Sequence, residues 1–82
     1  MVMTKRTLVV RDLQRVKAAQ GLSQQQVAER IGVTQPAVSD WLSGKSLPDA
    51  ESLGKIKSAF PELADAVYDA ALEFIRGREN VA

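Results

Sequence analysis

The chain has 82 residues, 45% of them apolar and 26% charged, with eleven basic against ten acidic side chains for a net charge of +1. That length holds one small domain, since compact domains usually take about 100 to 150 residues and seldom fewer than about 50, and the composition is that of a chain that folds in water rather than a disordered or fibrous one. Cysteine and histidine are both absent, which removes disulfides, thiolate nucleophiles, zinc fingers and imidazole acid–base chemistry together.

A single domain over residues 1–82 is therefore expected, with its core between about residues 9 and 60. No apolar run approaches the roughly 20 residues of a spanning helix, and the first residues lead into no signal-peptide pattern; the expectation is a cytoplasmic protein with no membrane partner. The near-neutral total conceals an uneven distribution. Residues 1–57 carry nine basic and five acidic side chains, whereas residues 58–82 carry two and five, an asymmetry that hints at one polyanion-facing end.

Gly21, Gly32, Gly44, Pro48 and Pro61 punctuate the chain into segments of helical period with no convincing strand, so the fold class is all-α with five helices. The first helix, about Val9 to Gln20, places Val9, Leu13 and Val16 on one face and stops at Gly21; Thr7-Leu8-Val9-Val10 is β-branched enough for its start to be extended instead. The second runs from Ser23 to Ile31, where Ser23-Gln24-Gln25-Gln26 fits a capping box, and Gly32 closes it. A third begins behind Thr34 as N-cap, with Pro36 in a first turn that needs no proline N–H and Val38, Trp41 and Leu42 as its inner face; Gly44 ends it. The fourth, about Ala50 to Ala59, starts behind Asp49 and buries Leu53, Ile56 and Phe60. Pro61 opens a fifth, which reaches about Arg76, and the six residues at either end are expected to fray.

The second and third helices are joined by only Gly32-Val33-Thr34. A turn of three or four residues containing glycine between two short helices defines a helix-turn-helix, whose axes cross steeply. Such a crossing requires a small residue at the closest approach, which Ala28 supplies, and Val27, Ile31, Val33, Val38 and Trp41 would form one apolar seam. Gly21-Leu22-Ser23-Gln24 entering the second helix, Ala28 and Gly32 at the turn, Gln35 opening the third helix and Gly44-Lys45 followed by Pro48 together resemble the phage Cro and cI repressor family, also called the Xre family, over about Arg11 to Phe60. The resemblance implies a lambda-repressor-like DNA-binding domain whose third helix enters the major groove.

It also implies roles for single residues. Gln35 is similar to the family glutamine at the start of the recognition helix, and its carboxamide can donate to N7 of adenine and accept from N6–H. Pro36, Ala37, Ser39 and Asp40 are the other positions that could face bases: the first two offer apolar contact to a thymine methyl, and Asp40 either accepts from a cytosine amino group or is paired with a nearby cation. Gln24 matches a position that holds a phosphate at the N-terminus of the second helix, Lys45 and Lys17 match positions that meet the backbone, and Thr34 caps its helix with a hydroxyl that could also reach a phosphate. Arg11, Arg15 and Lys5-Arg6 could add phosphate contacts, though each also fits a plain solvated cation. Five or so such contacts predict that affinity falls with log salt at a slope of roughly −4 to −5. Trp41, at helical spacing from Val38, reads as core rather than as a stacking platform, which would need several exposed aromatics.

In the fifth helix Glu62, Asp65, Asp69 and Glu73 form one polar stripe. Leu63, Ala64, Val67, Tyr68, Ala71, Leu72, Phe74 and Ile75 form an apolar face wider than one small domain covers, and a homodimer interface of Val67, Tyr68, Ala71, Leu72, Phe74 and Ile75 is expected; the alternative is that this helix lies across the first and fourth helices of its own domain. A two-fold pair would read two half-sites about 34 Å apart. Function is read as sequence-specific binding of a double-stranded operator by a small repressor, with an antitoxin-type regulator, whose apolar helix face binds a toxin, as the alternative. No metal or cofactor is expected, and an enzyme is disfavoured because the acidic residues form a surface stripe with no phosphate loop or nucleophile motif beside them.

Overall fold

A computed structural model describes the backbone of residues 4–79 and the side chains of residues 4–74. Among the described residues the chain forms five α-helices: α1 (Lys5–Gln20), α2 (Gln24–Ile31), α3 (Gln35–Ser43), α4 (Ala50–Ala59) and α5 (Ala64–Glu79), the last preceded by a 3₁₀ turn at Pro61–Leu63.

Helix boundaries follow from local chemistry. Ser23 Oγ accepts from the Gln26 N–H at 3.1 Å while Gln26 Oε1 accepts from the Ser23 N–H at 2.9 Å, a complete capping box that satisfies two donors at the start of α2. Thr34 Oγ1 accepts from the Ala37 N–H at 3.3 Å and Asp49 Oδ1 from the Ser52 N–H at 2.8 Å, so α3 and α4 start behind the predicted caps. The Ser52 N–H, then the Ser52 hydroxyl, and more weakly the charge of Lys55, hold the Asp49 carboxyl below its ordinary range. Gly32 closes α2 at φ 86°, in the left-handed region, and its N–H donates to the Ala28 carbonyl at 2.8 Å.

Three boundaries differ from those predicted. Helix α1 starts at Lys5 rather than near Val9, because Thr4 caps it, accepting from the Thr7 N–H at 3.1 Å. The β-branched pair Val9 and Val10 is buried in the helical conformation; burying a valine is worth about 1.5 kcal/mol or more, against a few tenths for its weak helix propensity. Lys5 and Arg6 are accordingly helical, not part of a frayed arm. At the other end Pro61 opens a 3₁₀ turn instead of α5 itself, and α5 reaches Glu79 rather than about Arg76, so residues 77–79, expected to fray, are helical.

The core is one cluster contributed by every helix: Val9, Val10, Leu13, Leu22, Val27, Ala28, Ile31, Val38, Trp41, Leu53, Ile56, Phe60, Leu63, Val67 and Ala70, with no buried charged or polar residue among them. The predicted seam between α2 and α3 is thus continuous with the rest, Val33 being the half-buried member. Helix α5 lies across α1 and α4 of its own domain. It therefore takes Val67 into the core at 3% exposure.

Candidate nucleic-acid interface

The outer surface of the domain at α2 and α3 is set by what their inner surfaces bury. Val38 and Trp41 point inward, Trp41 at 5% exposure, and so cannot serve as a stacking platform. Gln35 and Pro36 then stand exposed in the first turn of α3, and Ser39 and Asp40, one turn on, are half-buried at the rim.

Gln24, Gln35, Pro36, Ser39 and Asp40 line one shallow concavity, and Gln14, Lys17, Gln24, Ser39, Leu42 and Ser43 line a second. Gln24 and Ser39 belong to both, so the start of α2, the outer face of α3 and the C-terminal part of α1 form one continuous surface. Four of the five residues expected to face bases thus lie together. Ala37 does not line this recess: it is half-buried and packed against the core, because it stands one turn before the buried Trp41, at an i, i+4 spacing that shares one helix face.

Of the residues expected to meet phosphates, Gln24 and Lys17 border these recesses. Thr34 and Lys45 are exposed at the two ends of α3, and Arg11 is exposed on α1. Two of the further cations have partners within the domain. Arg15 pairs with Asp12 at 3.3 Å, and Arg6 lies over the Phe74 ring at 5.2 Å from its centroid.

Gln14 and Ser43 were not anticipated. Gln14 donates a long 3.5 Å bond from Nε2 to the Leu42 carbonyl, tying α1 to the end of α3. Both were accessible to periodicity, since Gln14 precedes Lys17 by three residues and Ser43 follows Ser39 by four, spacings that share one helix face.

On α5, Tyr68 is 65% exposed and Ala64, Ala71 and Leu72 are half-buried; their i, i+4, i+7, i+8 spacing makes one apolar strip beside the core-facing one. Val67 and Phe74 are used by the domain itself, Phe74 packed against the core. The expected interface residue Ile75 lies outside the described side chains. No helix among the described residues is long and apolar enough to cross a membrane.

Two short helices joined by a glycine-closed turn, the second with Gln35 and Pro36 exposed at its start, are the arrangement of a helix-turn-helix domain. Residues 13–64 match the helix-turn-helix family model, and the chain belongs to that family, of the Xre/Cro type. It is 40% identical over 53 residues to the HTH-type transcriptional activator BcrR of Enterococcus faecalis; the alignment covers 65% of this chain but only 26% of that protein. No solved structure gives a significant match.

Proposed function

We propose that the chain is a sequence-specific binder of double-stranded DNA that regulates transcription, docking α3 in the major groove. The observation that carries this reading is the single recess in which Gln24, Gln35, Ser39 and Asp40 stand together on the side of the helix pair away from the core. An α-helix with its side chains is about 10 to 12 Å across and the major groove of B-DNA about 12 Å wide, so α3 can enter without remodelling the domain. Gln35 then meets an adenine edge through its carboxamide, while Pro36, and Ala37 with what surface it has, offer apolar contact to a thymine methyl. Lys17, Lys45 and Arg11, with Gln24 and the Thr34 hydroxyl, hold the flanking phosphates. Similarity to a transcriptional activator supports regulation as the outcome. Repression follows wherever the occupied operator excludes other proteins.

Binding as a two-fold pair completes the reading, because one short helix reads few bases. The apolar strip of Ala64, Tyr68, Ala71 and Leu72 on α5 supports it as the surface that a second copy covers. A toxin-like partner protein is the competing occupant of the same strip, and it is favoured if the isolated chain sediments as a monomer at micromolar concentration.

Selection of bound sequences from a library of random duplexes tests the proposal. The chain enriches a defined motif, and Gln35→Ala relaxes one adenine position of it by about 1 to 3 kcal/mol. Enrichment of no motif, or a Gln35→Ala profile identical to that of the parent, would overturn it.

A further inference from the structure

Helix α3, Gln35–Ser43, contains no lysine or arginine, and its one ionic group is Asp40. A carboxylate on a surface that approaches phosphates repels them, so it is either neutralised within the protein or used by the bound DNA. Among the described residues nothing neutralises it: the Asp40 carboxylate enters no ion pair and no hydrogen bond, although its backbone carbonyl accepts from the Lys45 N–H at 2.9 Å, the Ser46 N–H at 3.3 Å and Ser43 Oγ at 3.2 Å. The backbone is fastened and the carboxylate is left over, in the same recess as Gln35.

We propose that Asp40 is a specificity-determining residue that demands an exocyclic amino group at one base position, cytosine before adenine, and excludes guanine and thymine there; this rests on the reading of α3 as the helix in the groove. The chemistry is one-sided. An ionised carboxylate only accepts hydrogen bonds. In the major groove cytosine presents its N4 amino donor and adenine its N6 amino donor, whereas guanine presents N7 and O6 and thymine O4, all acceptors. Facing guanine or thymine, the carboxylate loses its water and gains no proton to bind, which costs more than a missing contact. Adenine ranks second because its N7 acceptor lies beside the amino group. The absence of a cation on α3 acts in the same direction, since the commonest guanine contact is a bidentate arginine or lysine. The α3 face therefore reads bases through two kinds of group, the amide of Gln35 and the acceptor of Asp40.

The duplex selection, run with the full chain, Asp40→Asn and Asp40→Ala, tests this. Because the bonds that hold the turn use the Asp40 carbonyl, both substitutions leave them intact. The parent disfavours both guanine and thymine at one position by roughly tenfold. Asp40→Asn, whose carboxamide can donate to adenine N7 and accept from its N6 amino group, moves the preference there from cytosine to adenine, Asp40→Ala loses the preference, and the remaining positions of the motif stay as they were. If both variants tighten every duplex by one common factor and keep the parent's base profile, the carboxylate is a merely repulsive charge and the inference is overturned while the DNA-binding reading stands. If the parent enriches no motif, that reading fails and this inference with it.

Discussion

The Arg6 guanidinium stands over the Phe74 ring, 5.2 Å from its centroid, and the neighbouring residues of the same two helices form a second link, the Lys5 N–H donating to Glu73 Oε1 at 3.1 Å. The Lys5 N–H is one of the donors that the start of a helix leaves without an intrahelical partner, so α5 both packs on α1 and completes its N-terminus. Arg6→Ala is expected to lower stability by about 0.5 to 1 kcal/mol and to speed amide exchange in the first turn of α1. Urea unfolding read beside hydrogen exchange checks both; a stability loss without faster exchange there would place the effect elsewhere.

The reciprocal Ser23 and Gln26 bonds make α2 dependent on its cap, since a helix of eight residues is too short to persist on propensity alone. Ser23→Ala is expected to cost about 1 kcal/mol, and Ser23→Asp little, because a carboxylate also accepts from the Gln26 N–H. Equal midpoints for Ser23→Ala and the parent in urea would show the cap to be dispensable.

At Gly32, φ is 86° and a Cβ would meet nothing within 4 Å. A substitution is therefore penalised by backbone conformation and not by crowding. Gly32→Ala should cost about 1 to 2 kcal/mol, and Gly32→Asn less, since asparagine tolerates the left-handed region better. A loss larger for asparagine than for alanine in thermal unfolding would instead indicate a steric constraint.

Asp49 contributes a pH dependence of defined sign. Its carboxyl is held below the ordinary value of 3.8, chiefly by the Ser52 N–H, so the folded state binds that proton less readily than the unfolded chain. The contribution is fully present above the ordinary value and is lost as pH falls through the lower, folded value. Asp49→Asn keeps a capping oxygen but has no proton to gain. The stability gap between parent and Asp49→Asn, followed by urea unfolding from pH 7 to pH 2, is expected to be constant down to about pH 5 and to move in favour of the variant below that. A gap that first moves near neutral pH would contradict the assignment.

The phosphate contacts proposed for cations at this surface are those of Lys17, Lys45 and Arg11. Three such contacts give a slope of log affinity against log salt of roughly −3. Lys45→Ala is expected to weaken all duplexes alike and to reduce the slope by about 1. Titrations by fluorescence anisotropy between 50 and 200 mM salt, a range chosen because the electrostatic loss is large across it, supply the measurement. A Lys45→Ala slope equal to that of the parent would exclude Lys45 from phosphate contact.

What could be read from the chain alone were features decided within about four residues. Ser23, Thr34 and Asp49 as caps, Gly32 and Gly44 as helix ends, and the inward positions of Val27, Val38 and Ile56 all follow from side chains acting on the next turn or from a 3.6-residue period, and so the helix-turn-helix was legible before any fold was known. Tertiary packing decided matters that depend on distant partners: that Val9 and Val10 are helical because burial outweighs their local preference, that Val67 and Phe74 serve their own domain and not an outer face, and that Ala37 is turned toward the core. It also brought Gln14 and Lys17 of α1 alongside Ser39 of α3 and, among the described residues, left the Asp40 carboxylate without a cation. Those relationships join residues some twenty to sixty positions apart, and no periodicity within one helix carries information about which neighbour its exposed side will meet.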